Sequence, residues 1–101
     1  MGERLMSDAD LVRDGSKNLR DEMMDRAADI AKLEEKLKNG TISQQDFDSQ
    51  KRSQVNKISQ NGRMYSQNEK VIEKIEKGIE LDSNEQTIVD TYKEARSKGY
   101  L

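Results

Sequence analysis

Apolar side chains recur at alternating steps of four and three residues from Leu5 to Leu37, and this spacing constrains the fold more than any other feature. Eight of the ten positions in the series are apolar. A stripe with this heptad period keeps one face of an α-helix turned towards a partner helix. The ten positions are Leu5, Ala9, Val12, Ser16, Leu19, Met23, Arg26, Ile30, Leu33 and Leu37.

The boundaries of this first helix are predicted at residues 8–38. Ser7 is suited to the N-cap, because its hydroxyl can accept a hydrogen bond from an unpaired backbone N–H of the first turn. Gly40 ends the helix, since glycine readily adopts the left-handed conformation found just past helix C-termini. Gly15 and Ser16 interrupt the stripe, so a kink there, or a later start of the helix near Ser16, is the alternative.

A second helix is predicted over residues 44–80, after a turn at 39–43. Six of ten positions in its stripe are apolar, and the polar ones cluster in its first two-thirds. Polar residues at stripe positions lower stability but can fix register and partner. Val55, Met64 and Val71 lie beside the stripe and widen it. Met23 and Met24 of the first helix, with Met6 and Met64, are candidates for an adaptable binding surface, since methionine repacks easily. The ten positions are Phe47, Lys51, Gln54, Ile58, Asn61, Tyr65, Asn68, Ile72, Ile75 and Ile79.

The second helix carries a capping signal at its start, and a glycine and a polar stretch in its interior. The segment from Ser43 to Asp46 resembles a capping box, with aspartate in place of the usual glutamate. Gly62, which follows Asn61, is a candidate interruption of the helix, because glycine is a poor helix former. Glutamine, asparagine and serine are common between Gln54 and Asn68. That stretch is therefore the predicted place for flexibility or for a missing partner.

A shorter third helix is predicted over residues 84–97. Asp82 or Ser83 can cap its start, and Gly99 closes it. Because a short connection places neighbouring helices antiparallel, the predicted fold is all-α: an elongated antiparallel helical hairpin, coiled-coil-like, with a short C-terminal third helix. Residues 1–101 are expected to form a single helical domain.

Composition excludes several kinds of function. Histidine and cysteine are absent, so the usual zinc sites and Ser–His–Asp or Cys–His catalysis are excluded. The 18 basic and 20 acidic side chains are mixed along the chain, without the basic stripe of a nucleic-acid binder. No run of about 18 apolar residues is present to span a membrane. We therefore expect no enzyme activity, catalytic residue, metal, cofactor or small-molecule substrate.

The turn between the two long helices carries the pattern Leu33-x3-Leu37-x2-Gly40-x-Ile42-Ser43-x2-Asp46-Phe47-x3-Lys51. This pattern resembles the short bacterial helix–turn–helix element called SHOCT. The resemblance covers residues 30–55 and implies an interaction or oligomerisation element without catalytic residues. The length of the chain, its mid-chain turn and its two long helices are also similar to the small secreted helical hairpins of the WXG type.

The function predicted from these patterns is non-enzymatic protein–protein interaction, as an adaptor or chaperone-like subunit of a larger bacterial assembly. Self-association is the expected alternative to a separate protein partner. A cytoplasmic location is expected because the N-terminus has no apolar signal region. A leaderless substrate or component of a specialised secretion system is the second hypothesis. The predicted contact residues are Val12, Leu19, Met23, Arg26, Ile30, Leu33, Leu37, Phe47, Ile58, Tyr65, Ile72, Ile75 and Ile79.

Overall fold

Three α-helices account for most of residues 7–101, the part of the chain that the computed structural model describes. Helix α1 spans Asp8–Lys38, α2 spans Gln44–Glu76 and α3 spans Ser83–Ser97. The long helices α1 and α2 pack along each other, and the described residues extend over 60 × 30 × 20 Å. The predicted all-α, elongated antiparallel hairpin with a short third helix is confirmed. Leu5, the first stripe position, and Met6 lie outside the described residues.

Each helix starts at a side chain that caps it. Ser7 and Ser43 accept hydrogen bonds from backbone N–H groups three residues ahead, both at 3.1 Å. At α3 it is Asp82, of the two candidates, that caps. It accepts from the Glu85 backbone N–H at 2.8 Å, while the Glu85 carboxylate accepts from the Asp82 N–H at 3.0 Å. The reciprocal capping box therefore lies at α3, where glutamate is long enough to reach back.

The prediction that α2 continues to residue 80 is wrong, because the helix ends at Glu76. Gly78 adopts a left-handed φ of 70° just past the C-cap residue Lys77. The backbone N–H of Ile79 then donates to the carbonyl of Lys74 at 2.8 Å, which satisfies a carbonyl that the helix leaves unpaired. Ile79 consequently lies outside the helix and is 51% exposed.

Neither of the predicted interruptions breaks its helix. Helix α1 runs through Gly15 and Ser16 from a start at Asp8, so the alternative start near Ser16 is wrong. Helix α2 likewise runs through Gly62. Packing against the neighbouring helix outweighs the cost of about 1 kcal/mol that glycine brings to a helix interior.

The apolar core lies at one end of the molecule, where all three helices meet. Its buried members and the half-buried residues around them come from α1, α2, α3 and the α2–α3 connection. They are Ala9, Val12, Val71, Ile72 and Val89, surrounded by Ile75, Leu81, Ile88 and Tyr92. We call residues 8–16, 68–76 and 83–97 the head, and residues 17–38 and 44–67, where only two helices pair, the arm. No helix among residues 7–101 is long and apolar enough to cross a membrane.

Ion pairs attach α3 to both long helices of the head. Lys74 of α2 contacts Glu85 at 2.7 Å. On α1, Asp14 contacts Arg96 at 2.5 Å, and Asp8 lies 3.6 Å from Lys93. The two pairs on α1 are exposed, and exposed pairs contribute at most about 1 kcal/mol each. Burial of Val89 and its neighbours is therefore the main reason that α3 docks.

Candidate interaction surface

The stripes predicted as contact surfaces face each other inside the hairpin. Four of the predicted residues are buried: Val12, Leu33, Phe47 and Ile72. Eight more are half-buried: Leu19, Met23, Arg26, Ile30, Leu37, Ile58, Tyr65 and Ile75. Only Ile79, beyond the end of α2, is exposed. These stripes therefore hold the two long helices of one chain together, and their contact with a separate partner stays a prediction.

Polar stripe residues of the arm pair with each other within the chain. Arg26 donates to the Gln54 side-chain oxygen at 3.2 Å and to the Glu22 carboxylate at 2.5 Å. The guanidinium lowers the pKa of Glu22 through this hydrogen bond and its charge, against the opposing effect of desolvation. Arg26, one of the predicted contact residues, forms these bonds within its own chain, and its buried Nε has no hydrogen-bond partner among residues 7–101. The polar middle of α2 thus has contacts within the hairpin.

One aromatic contact fixes the side of the hairpin on which α3 lies. A Cβ placed on Gly15 of α1 would lie 2.6 Å from Cζ of Tyr92, so the tyrosine ring rests directly on the α1 backbone. The side-chain amide of Asn68 on α2 donates to the Tyr92 hydroxyl at 2.7 Å. Tyr92 therefore touches both long helices at once, and we call this side of the hairpin the covered side.

The opposite side of the hairpin is identified by contacts between α1 and α2. At the head, Arg13 pairs with Glu76. In the middle of the arm, a Cβ on Gly62 would lie 3.9 Å from the sulfur of Met23. Near the turn, the Lys51 ammonium lies 4.0 Å from the Glu34 carboxylate. Residues seven apart lie along one face of a helix. Arg13 and Glu34 on α1 are separated by whole heptads, as are Gly62 and Glu76 on α2, so these contacts share one side of the hairpin.

Small and apolar residues occupy the middle of this second side. We call them the open face, and their shared feature is exposure or half-exposure on the arm without a charged side chain. Met24 is 61% exposed and Val55 is 41% exposed. The alanine and serine side chains nearby are too small to cover Met24 and Val55. The open face consists of Met24, Ala27, Ala31, Val55, Ser59, Gly62 and Ser66.

Charged residues border the open face at both ends. Towards the head, Arg20 and Glu69 line a depression together with Tyr65. Towards the turn stand Glu34 and Lys51. An uncharged centre with a charged border is the usual arrangement of a protein–protein interface. Exposed apolar residues in a group, rather than singly, point to a binding surface.

Most open-face residues were missing from the sequence prediction, because that prediction followed the stripes alone. Ala27 and Ala31 sit beside the α1 stripe, at positions where charge would be expected on a solvated helix. The absence of charge there is a signal in the sequence. It becomes informative only when α3 is known to lie on the other side. Val55 was already expected to widen the α2 stripe, and Met24 to belong to an adaptable surface.

Comparison with models of known families, with curated proteins and with solved structures finds no match to this chain. The resemblances to SHOCT elements and to WXG-type hairpins therefore stay predictions. Function has to be inferred from the described residues themselves.

Proposed function

We propose that this protein is a non-enzymatic interaction module that binds a helical protein through the open face of its arm. The observation that carries the proposal is the exposure of Met24 and Val55 on opposite helices of one uncovered side. Both are large apolar side chains, and their burial is favourable by about 25 cal/mol for each Å² removed from water. The role as an adaptor or chaperone-like subunit of a larger assembly belongs to this proposal.

The shape of the open face favours a helix as the bound element. Two antiparallel helices leave a shallow groove between them, and alanine, serine and glycine along it allow another backbone to approach closely. Helices pack at interaxial distances of about 8–10 Å, with the shorter distances reserved for small side chains. Ala27 and Gly62 lie towards the centre of this groove, and both supply that small size.

Site-specific photo-crosslinking in living cells tests the proposal. A photoreactive phenylalanine analogue placed at position 24 or 55 should give the same discrete adduct. The matched controls place the analogue at Asp25 and Gln60, which are exposed on the same two helices but point away from the open face. We expect at least about ten times more adduct from the open-face positions. Equal yields from all four positions, or none at 24 and 55, would contradict the proposal.

The second hypothesis, a secreted helical hairpin, rests on the two long helices and the turn between them. It predicts the protein in culture supernatant without cell lysis. Detection there, together with an uncrosslinked open face, would favour secretion as the primary role over the interaction module.

A further inference from the structure

The open face is complementary to itself in charge. Its border towards the head has a cation on α1, Arg20, and an anion on α2, Glu69. Its border towards the turn has the reverse order, with the anion Glu34 on α1 and the cation Lys51 on α2. At the two borders of this face each helix therefore carries opposite signs, and the two helices differ in sign at each border. Between the borders, Arg63 of α2 stands at the edge of the face beside Gly62.

We propose that the occupant of the open face is a second copy of this chain, so that two arms form a four-helix bundle. This inference rests on the proposed function and names its partner. Turning a second copy by 180° about the long axis of the arm places α1 of one copy over α2 of the other. Arg20 then faces Glu69 of the second copy, and Glu34 faces Lys51. Complementary charge speeds association and suppresses wrong partners.

The other two-fold arrangement has the same property. Turning the second copy end over end places α1 over α1, so that Arg20 faces Glu34 of the second copy. In both arrangements every helix has antiparallel neighbours, which suits the helix dipoles. In both, Ala27 also lies near the centre of the interface, since it stands midway between Arg20 and Glu34 in sequence. Self-complementarity is what an interface between identical subunits requires.

The size of the surface is sufficient for a weak, specific contact. Between the two charged borders, α1 runs for roughly 20 Å at a rise of 1.5 Å per residue, and two helices side by side are about 20 Å wide. With the border residues included, each copy buries on the order of 500–600 Å². The total, on the order of 1,000–1,200 Å², lies at the lower end of specific interfaces. We therefore expect association at micromolar concentrations.

The covered side offers no comparable surface in the described residues. Over the head it is occupied by α3, whose Tyr92 rests on Gly15. Over the arm it carries one exposed apolar side chain, Met64 at 44%, beside the paired ions Glu22 and Arg26. Burying these ions in an interface would cost desolvation free energy that an uncharged centre avoids. The second copy is therefore assigned to the open face.

Sedimentation equilibrium of the full chain tests the assignment. The wild type should show twice the 11.6 kDa mass of one chain at micromolar concentration. Ala27→Glu buries a new carboxylate near the centre of the interface in either arrangement and should raise the dissociation constant at least about 100-fold. Gln60→Glu adds the same charge at an exposed position on the far side of α2 and should leave it unchanged. Unchanged circular dichroism at 222 nm would show that both variants fold, and Val55→Glu provides a second open-face variant.

Failure of this assignment is distinguishable from failure of the proposed function. A wild-type chain that stays monomeric at about 100 μM overturns self-association. The same conclusion follows if Gln60→Glu and Ala27→Glu weaken the dimer equally. If such a monomer still gives the photo-adducts at positions 24 and 55 with a protein of another mass, the interaction module stands and the second copy does not. A dimer that also loses affinity as salt rises supports both, because charged borders are screened by ions.

Discussion

The contact between Gly15 and Tyr92 leads to a prediction whose sign is unusual. Replacing a helix-interior glycine by alanine normally stabilises a protein by about 1 kcal/mol. At Gly15 the new Cβ would lie 2.6 Å from Cζ of Tyr92, whereas ordinary contacts begin at 3.4 Å. Cε1 of the same ring would lie closer still, so the ring has to retreat by more than about 0.8 Å, and overpacking of this kind is destabilising. Gly15→Ala should consequently destabilise the protein.

The magnitude follows from three contributions. Overpacking costs about 1–3 kcal/mol. The hydrogen bond from Asn68 to the Tyr92 hydroxyl, 2.7 Å long, would stretch to the limit of a hydrogen bond and lose about 1 kcal/mol. The alanine itself returns about 1 kcal/mol of helix propensity. The net loss is about 1–3 kcal/mol, and each kcal/mol lowers the midpoint temperature by about 4–8 °C in a domain of this size.

Urea denaturation followed by circular dichroism measures this effect, and a double-mutant cycle isolates its cause. With Tyr92→Ala in the background the clash is gone, so Gly15→Ala should then stabilise by up to about 1 kcal/mol. Below micromolar concentration, where the open face is unoccupied, Gly62→Ala is the matched control in the wild type, because its Cβ would meet only the Met23 sulfur at 3.9 Å. If Gly15→Ala stabilises the wild type as much as Gly62→Ala does, the reasoning about Tyr92 is refuted.

Three further predictions concern single positions. Gly78→Ala should destabilise by about 1–2 kcal/mol in thermal unfolding, since alanine is strained at a φ of 70°. Ser16→Ala should stabilise by about 1 kcal/mol in urea, because the serine hydroxyl is buried without a hydrogen-bond partner among residues 7–101. The pKa of Glu85 is lowered by the Asp82 backbone N–H and then by Lys74. The ionised Glu85 carboxylate therefore contributes to the free energy of unfolding above pH 4.5, its ordinary pKa, and this contribution is lost as the pH falls through the lowered pKa. Glu85→Gln should consequently destabilise the protein at pH 7 and not at strongly acidic pH.

The heptad period was sufficient to predict the two long helices and the residues that pack where these helices face each other. From Ala9 to Ile75, every position of the two stripes is buried or half-buried in the structure. The period works because it expresses a local rule, the spacing that brings side chains to one face of a helix. Helix starts were predictable for the same reason, since Ser7 and Ser43 act on backbone groups only three residues away.

The end of α2 was not predictable from local rules. Gly62 and Gly78 are both glycines within an apolar pattern, but one continues the helix and the other ends it. Past Gly62 there are further contacts with α1 to be gained, whereas past Gly78 the chain has to turn so that Leu81 and α3 reach the head. That difference depends on the whole fold rather than on the neighbouring residues.

The position of α3, and with it the open face, depends on contacts between residues far apart in sequence. Gly15 looked like a weakness of α1 when considered alone. It is the site where Tyr92 docks, and no pattern within α1 indicates this. When α3 is known to cover that side, the row of uncharged residues through Ala27 on the opposite side can be recognised as a candidate interaction surface. The candidate site was therefore only partly predictable, through Met24 and Val55.

The position of the core at the head has a consequence for the order of events during synthesis. The ribosome releases α1 and α2 before α3, so the arm has all its partners while Val12 and Val71 still lack Val89. A nascent chain at that stage presents fresh apolar surface at the head, and domains that emerge incomplete are prone to aggregate. The last of the three helices to leave the ribosome is thus the one that closes the core.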